Sequence, residues 1–270
     1  MERKGDLYTF GFAGIICVFC SVILALAATG LKPLQDQNAE LDVLVNILGA
    51  VGHDPAALKK EGAVAVKEQF AKEFQTKLLN ASNQETSLDF MKTELIKVGY
   101  PEDMIDNLLP GTLLTRFEAK KGLMARKAGK KMDEYDPGYK MVYVHLEDGQ
   151  PDAYVIPVMG FGLWDIVKGY LALGTDLNTV KGVTFYEHKE TPGLGARVTE
   201  QWFQANWKGK KTLSDGGELV SITVAKGDAA SGVHQVDGIS GATLTGNGIN
   251  KFVKADLMRY EPYFKTLRGN

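Results

Sequence analysis

The chain has 270 residues and a formal net charge of −2, so it can hold one large domain or two small ones. With only 24% charged residues and no basic excess, it shows no electrostatic signature of a nucleic-acid partner. Glycine accounts for 30 of the 270 residues, against an average of about 7%, which favours a turn-rich site lined by backbone over a helical bundle.

The first predicted element is a membrane-spanning helix. Residues Leu7 to Leu31 include no charged side chain, and a helix of about 25 residues, rising about 1.5 Å per residue, can cross a hydrocarbon core of about 30 Å. A cleaved signal peptide is the alternative, because Ala25-Leu26-Ala27 fits a small-x-small cleavage site. The apolar run is longer than the usual signal core of about 7–15 residues, so residues 1–34 are predicted to be a permanent membrane anchor.

Flanking cations predict the orientation of this span. Arg3 and Lys4 precede it, whereas Lys32 is the only lysine or arginine after it before Lys59. Because cations concentrate on the cytoplasmic side of a span, the N-terminus is predicted to be cytoplasmic and the main domain external.

Both cysteines lie inside the predicted span. Cys17 and Cys20 are three residues apart and share one face of a helix. Half of an iron–sulfur site completed by a partner protein is one interpretation, but a pair of small apolar residues is the favoured one.

Residues 35–110 are predicted to form a helical segment. Apolar residues at helical spacing predict helices at Gln35–Leu48, Glu61–Leu79 and Leu88–Val98. Breaks are expected at Gly49–Pro55 and at Tyr100–Pro101. The charges of this segment are predicted to form a solvated face, and no chemistry is assigned to it.

Residues 111–270 are predicted to be an α+β domain. The order of elements indicates a mostly antiparallel sheet, with hairpins and flanking helices, closed by a last helix. The basic run Lys120–Lys131 is expected to be an exposed loop or helix. Alternating or β-branched patterns predict strands at Leu113–Phe117, Met141–Leu146, Tyr154–Met159, Ile166–Leu173 and Val180–His188, the last two forming a hairpin across Gly174–Asn178. The closing helix is predicted at Leu244–Tyr260, with Tyr260–Leu267 docking it onto the sheet.

A run of small residues immediately before the closing helix is the strongest candidate site. Ser240, Thr243 and Thr245 can each cap the helix, because a hydroxyl accepts hydrogen bonds from first-turn N–H groups. A helix N-terminus also suits a phosphate, and Gly241 and Ala242 leave room for a ligand near the backbone. From these residues alone, an anion site and an ordinary helix cap both remain open.

Two further glycine-containing turns accompany this run. Gly160-Phe161-Gly162-Leu163-Trp164 is a flexible turn closed by a large aromatic residue, for which core packing of Trp164 is the alternative. Glu190-Thr191-Pro192-Gly193-Leu194-Gly195-Ala196 is a tight turn that exposes backbone amides, for which an ordinary β-turn is the alternative.

The three stretches together resemble the signatures of the FMN-binding domain family. Asp237 followed by Ser240-Gly241-Ala242-Thr243 resembles its flavinylation motif. GFGLWDIVKGYLAL, residues 160–173, and VTFYEHKETPGLGARV, residues 183–198, look like its other two signatures, in the expected order. With the N-terminal segment, the chain is similar over most of its length to the NqrC family, whose members are subunits of the sodium-translocating NADH:quinone reductases.

This resemblance implies a covalently held flavin. In the family, a flavin transferase attaches FMN through its phosphate to the final threonine of the motif, which here is Thr243. Surrounding or recognising the flavin is the implied role of Asp237, Ser240, Gly241, Ala242, Trp164, Glu190, Thr191, Gly193, Leu194 and Gly195.

The implied function is electron transfer inside a multisubunit membrane complex. By resemblance, the complex lies in the bacterial inner membrane, oxidises NADH, reduces ubiquinone and exports sodium, with the soluble domain of this chain in the periplasm. Two alternatives remain open. One is an RnfG-like component of the related Rnf electron-transport complex, and the other is a membrane-anchored binding protein for a non-covalent phosphate ligand.

Other chemistry is not indicated by the sequence. His145, His188 and His234 are isolated and lack the spacing of a ligand motif, so no metal site is predicted. No P-loop, nucleophile elbow or dinucleotide-binding glycine motif occurs. The nearest cations to a reduced flavin are predicted, unranked, to be Arg197, Lys226 and Lys189.

Overall fold

The computed structural model of the chain describes residues 3–106, 108–127, 129, 138–227 and 232–269. Contacts divide the chain into two units, Met1–Asp42 and Val43–Asn270. The division at residues 34 and 110 stays a prediction, and part of the basic run Lys120–Lys131 lies outside the described residues.

A single long helix forms the first unit and continues into the second. Helix α1 spans Arg3–Ala50, 48 residues. Its segment Tyr8–Lys32 has a mean hydropathy of 2.6 and no buried residue, and among the described residues it is the one helix long and apolar enough to cross a membrane. The predicted anchor is confirmed as such a helix, and the helix predicted at Gln35–Leu48 forms its continuation.

The second unit contains seven further helices and eight strands among its described residues. The helices are α2 Pro55–Glu61, α3 Ala63–Glu73, α4 Asp89–Lys97, α5 Glu102–Asp106, α6 Pro110–Lys127, α7 Gln201–Ala205 and α8 Thr243–Arg268. The strands are β1 Phe74–Leu79, β2 Glu85–Thr86, β3 Lys140–Glu147, β4 Gln150–Phe161, β5 Ile166–Gly174, β6 Val180–Glu187, β7 Thr223–Val224 and β8 Gln235–Val236.

Six of these strands form one antiparallel sheet in the order β2-β1-β3-β4-β5-β6. The short strands β7 and β8 pair in parallel beside it. The predicted hairpin is confirmed as β5 and β6, and the α+β fold with a mostly antiparallel sheet is confirmed as well.

Helices cover both faces of the sheet. On one face, Val142, Val144 and Ile156 pack into a cluster with residues of α8. On the other face, Tyr143 lines a cavity with the end of α1, with Phe70 of α3 and with Gly111 of α6. Neighbouring residues of a strand point to opposite faces, so the central strands are buried on both sides.

Helix α8 closes the first face. The hydroxyl of Tyr260 donates a hydrogen bond of 2.9 Å to the backbone carbonyl of Met141. The predicted docking of the C-terminal end of this helix is therefore confirmed. The helix contributes to the buried core Ile249, Phe252, Val253, Leu257, Tyr260, Tyr263 and Phe264.

Two sequence predictions for the N-terminal half are wrong. The helix predicted at Glu61–Leu79 is broken at Gly62, which has φ +89°, and its last six residues form β1. Pairing of β1 with β3 overrides the local helical pattern. The strand predicted at Leu113–Phe117 lies inside α6, where Leu113, Leu114 and Phe117 form a buried helical stripe.

Candidate functional site

The loop before α8 exposes the Thr243 hydroxyl at the first residue of a helix. Thr243 and Ser240 are exposed or half-exposed at the surface, and Gly241 between them has φ +73°. The position before the helix is Ala242, which makes no side-chain cap hydrogen bond. The prediction that a hydroxyl of Ser240, Thr243 or Thr245 caps α8 is therefore wrong, because the chain enters the helix one residue before the first threonine. Without a side-chain cap, the N-terminus of α8 stays available to an acceptor from elsewhere.

Two other predicted residues of this loop are occupied by the protein itself. The side chain of Ala242 is buried in the core under the loop. The carboxylate of Asp237 is half-buried and accepts a hydrogen bond of 3.4 Å from the amide of Asn206. Both residues therefore brace the loop that carries Thr243.

Glu190 joins the three predicted stretches. Its Oε1 accepts hydrogen bonds from the backbone N–H groups of Leu163, at 3.0 Å, and Trp164, at 2.9 Å. Its Oε2 accepts a hydrogen bond of 2.6 Å from the hydroxyl of Thr245 in α8. The residue is 4% exposed. Burial acts to raise the pKa of Glu190, but the hydrogen bonds from Thr245, Trp164, Leu163 and Asp165 outweigh it and lower that pKa.

Trp164 stands at the edge of this junction and faces outward. Its ring N–H donates a hydrogen bond of 3.1 Å to the hydroxyl of Thr191, yet the residue is 67% exposed. Core packing, the alternative considered from the sequence, is thereby excluded for Trp164. Its indole ring is an exposed apolar surface beside the Glu190 turn.

Glycines let the three stretches approach one another. A Cβ on Gly195 would lie 2.6 Å from the Thr245 hydroxyl and 2.7 Å from Glu190 Oε2. A Cβ on Gly162 would lie 2.6 Å from Glu190 Oε1. Since real Cβ atoms keep a greater distance, larger residues would separate the stretches.

Leu194 connects the Glu190 turn to the Thr243 loop. A Cβ on Gly241 would lie 2.7 Å from Leu194 Cδ2, so the leucine side chain rests against the loop backbone. Gly193, with φ +77°, permits this turn. The N–H groups of Leu194 and Ala196 both donate to the carbonyl of Thr191 at 3.1 Å, so they are not available to a ligand, contrary to the expectation that this turn exposes them.

Exposed apolar side chains surround the junction. Phe161, Leu163, Leu194 and Leu244 are each at least 42% exposed, in addition to Trp164. Large apolar residues grouped on a surface mark a ligand or partner site more often than isolated ones do. Phe161, Leu163 and Leu244 were absent from the sequence-derived site, because exposure of an apolar residue has no local sequence signal.

Two of the three predicted cations are already paired. Lys189 forms an ion pair of 2.6 Å with Asp165, and Arg197 forms one of 3.0 Å with Glu200. The guanidinium of Arg197 also lies 5.0 Å from the centroid of the Trp202 ring. Lys226 is exposed.

Comparison with known proteins places these stretches in one family. The FMN-binding domain family matches residues 162–257. The NqrC subunit of the Na(+)-translocating NADH-quinone reductase of Yersinia pestis is 34% identical over 94% of this chain and 90% of its own length. The corresponding subunit from Pseudomonas aeruginosa is 34% identical over 93% of this chain and 91% of its own length.

Solved structures agree with the sequence comparison. The crystal structure of the corresponding subunit from Parabacteroides distasonis matches with a TM-score of 0.61 and 25% identity, over 86% of this chain and 96% of that one. NqrC of Shewanella oneidensis matches with a TM-score of 0.60 and 25% identity, over 86% of this chain and 100% of that one.

Proposed function

Because this chain belongs to the NqrC family of Na(+)-translocating NADH-quinone reductases, we propose that it carries FMN esterified through its phosphate to the hydroxyl of Thr243. The chain is an electron-transfer subunit of that enzyme. The RnfG interpretation gives way to this assignment.

The exposed Thr243 hydroxyl is the observation that carries the proposal. It stands at the first residue of the 26-residue helix α8, whose N-terminus makes no side-chain cap hydrogen bond. The first N–H groups of a helix and its partial positive charge favour a phosphate, so an ester at Thr243 would satisfy them. Exposure also gives a flavin transferase access to the hydroxyl.

The surrounding residues fit a flavin. Trp164 and Leu194 provide exposed apolar surface on either side of the Glu190 turn, which suits the faces of an isoalloxazine ring. Gly241 has no side chain to obstruct the phosphate end. When bound, FMN supplies one- and two-electron redox chemistry, and the protein supplies position and surroundings.

Glu190 has a supporting role in this proposal. Its two oxygens accept from the protein's own donors, so it holds the Trp164 turn and the first turn of α8 at a fixed separation. Phe161 and Leu244, both exposed, extend the apolar surface beyond the flavin. That surface would face another protein of the complex.

Covalent attachment is tested on protein purified from its native host, with the transferase present. We expect yellow-green fluorescence to persist on a denaturing gel and the intact mass to exceed the polypeptide by one FMN less one water. Thr243→Ala should abolish both signals. Thr266→Ala, at the other end of the same helix, should retain both. A bare polypeptide mass in the native material would overturn the ester and favour a membrane-anchored binding protein for a free phosphate ligand.

We further propose that α1 anchors the chain in the bacterial inner membrane with the domain in the periplasm. The apolar segment Tyr8–Lys32 and the cations before it support this orientation. In a Cys17→Ser, Cys20→Ser background, Asp215→Cys should react with a membrane-impermeant maleimide in intact cells. Glu2→Cys should react only after lysis, and the reverse pattern would refute the orientation.

A further inference from the structure

Three potential metal ligands, distant in sequence, meet on the sheet face opposite α8. His53 lies in the turn after α1, Glu73 is the last residue of α3, and His145 is on β3. His53 Nε2 lies 2.8 Å from Glu73 Oε2, and His145 Nε2 lies 3.7 Å from the same oxygen. One ligand atom from each residue lies within 4.8 Å of the others. The pairing of Phe74 with His145 in the β1–β3 register brings the last two together.

We propose that His53, Glu73 and His145 bind a divalent transition-metal ion, with Zn²⁺ the best match. Two imidazole nitrogens and one carboxylate oxygen are a common zinc ligand set, and zinc takes a fourth ligand such as water. With metal–ligand bonds of about 2.0–2.2 Å, the ligand atoms of one tetrahedral ion are about 3.3 Å apart. The distances of 2.8 and 3.7 Å lie on either side of that value, so small side-chain rotations suffice.

The outer partners orient these ligands toward one point. His145 Nδ1 lies 2.9 Å from Asp152 Oδ2, and Asp152 also pairs with Lys181. A carboxylate at Nδ1 keeps the proton on that nitrogen and turns the Nε2 lone pair toward Glu73. This arrangement of carboxylate, histidine and ligand position is typical of zinc sites.

Gln69 completes the outer layer on the other side. Its amide Nε2 donates to Glu73 Oε1 at 3.2 Å and lies 3.3 Å from His53 Nδ1. Glu73 Oε1 is thereby engaged, and Oε2 remains directed at the two histidines. Like its neighbours, Glu73 is half-buried, which leaves a route for a water ligand.

The charges favour a cation. With neutral imidazoles, the ligand set carries only the negative charge of Glu73, while the charge of Asp152 is offset by Lys181. A bound divalent ion would cross-link the turn after α1, the end of α3 and strand β3. Its proposed role is a structural clamp, remote in sequence from Thr243.

Zinc content tests the proposal. The full-length chain, free of any polyhistidine tag, is stripped with a chelator in detergent and dialysed against micromolar ZnCl₂, and metal is measured by mass spectrometry. We expect about one zinc per chain and a higher thermal midpoint with zinc. His145→Gln and Glu73→Gln should lose the zinc, with folding checked by far-UV circular dichroism. His234→Gln, whose ring bonds the backbone carbonyl of Lys211, should retain it.

A positioning variant covers the case in which a ligand variant fails to fold. Asp152→Asn leaves all three ligands in place and should weaken zinc affinity by about 10- to 100-fold. Wild-type protein with no stoichiometric zinc, or with zinc retained in Glu73→Gln, would overturn the proposal. Either result would make the cluster a hydrogen-bonded network only.

Discussion

The carboxylate of Glu190 shows how one buried side chain can determine the geometry of a surface site. It accepts from Leu163, Trp164 and Thr245, which belong to two different parts of the chain. A buried donor that loses its acceptor costs about 1–3 kcal/mol. The relative position of the Trp164 turn and the start of α8 therefore depends on this residue.

Replacing Glu190 should destabilise the protein more than removing one of its donors. Glu190→Gln turns one acceptor oxygen into a donor and should lower the free energy of unfolding by about 2 kcal/mol, whereas Thr245→Val should lower it by about 1 kcal/mol. Denaturant unfolding followed by far-UV circular dichroism measures both. Glu200→Gln, an exposed matched control, should change the stability by no more than about 0.5 kcal/mol.

The Glu190 effect should depend on pH. Burial opposes ionisation, but the hydrogen bonds from Thr245, Trp164, Leu163 and Asp165 lower the pKa of Glu190 below its ordinary value. Its contribution is therefore present above the unfolded pKa of about 4.3 and is lost as pH falls through the folded pKa. The stability gap between wild type and Glu190→Gln should narrow in acid, and a gap that widens there would contradict this assignment.

Asp256 should show the opposite pH dependence. It is 6% exposed on α8, and burial raises the pKa of Asp256 to about 6, despite a hydrogen bond from the Met159 N–H and the nearby Arg259. Its contribution to stability is present below the unfolded pKa of about 3.9 and is lost as pH rises through about 6. Asp256→Asn should therefore gain stability relative to wild type between about pH 4 and 7, by at most about 3 kcal/mol.

Unfolding at several pH values checks this prediction for Asp256. The exposed Asp215→Asn serves as the control for loss of one negative charge. Equal stability differences at the acidic and neutral ends of that range would show that Asp256 does not titrate as described.

At this scale, the sequence predicted some residues and not others. Thr243 and Trp164 belong to compact local patterns, and both are exposed beside the site. The bond between Thr245 and Glu190 spans 55 residues, so no local pattern reveals it. The same holds for His53, Glu73 and His145, whose proximity depends on strand register.

At the scale of elements, α8 packs on β4 through glycine. A Cβ on Gly248 would lie 2.3 Å from the carbonyl oxygen of Phe161, whereas one on Gly246 would lie 3.2 Å from Val224 Cγ1. The first contact is with backbone, which cannot rotate away. The second is with a methyl group, which can shift by a few tenths of an ångström.

Alanine at these two glycines should therefore behave differently. Alanine improves helix propensity by about 1 kcal/mol, but overpacking costs about 1–3 kcal/mol. Gly248→Ala should lower the thermal midpoint by several degrees, and Gly246→Ala should change it less. Two equal midpoints would mean that α8 can move away from β4 without cost.

Errors in element prediction have physical causes. The residues FQTKLL of β1 do not alternate in burial, so they continue the helical pattern before them. The residues of Leu113–Phe117 fit a short strand as well as a helical stripe, and α6 buries that stripe. The β5–β6 hairpin was predictable because its turn separates two runs rich in β-branched and aromatic residues.

At the scale of the whole molecule, α1 serves two units. Its segment Tyr8–Lys32 has no buried residue, whereas Leu44, Val45 and Ile47 near its end are at most 1% exposed. The first part is therefore dispensable for the folded domain, and the last turns are not.

Two truncations should separate these roles. Removal of residues 1–34 should give a water-soluble, monomeric domain whose thermal midpoint stays within a few degrees of the full chain in detergent. Removal of residues 1–50 also deletes buried leucine, valine and isoleucine side chains, each worth about 2–5 kcal/mol when truncated to alanine, and should unfold the domain. Equal midpoints for the two truncations would show that the end of α1 adds nothing to the core.

The position of α8 has a consequence for biosynthesis. The face that includes Val142 and Ile156 is covered by residues from Ile249 onward, which leave the ribosome last. A nascent chain anchored early by its N-terminus must therefore hold an uncovered apolar sheet until translation ends, a state prone to aggregation. Flavin loading at Thr243, the first residue of that late helix, would then report that synthesis is finished, and nonsense mutations upstream of it would yield chains destined for proteolysis.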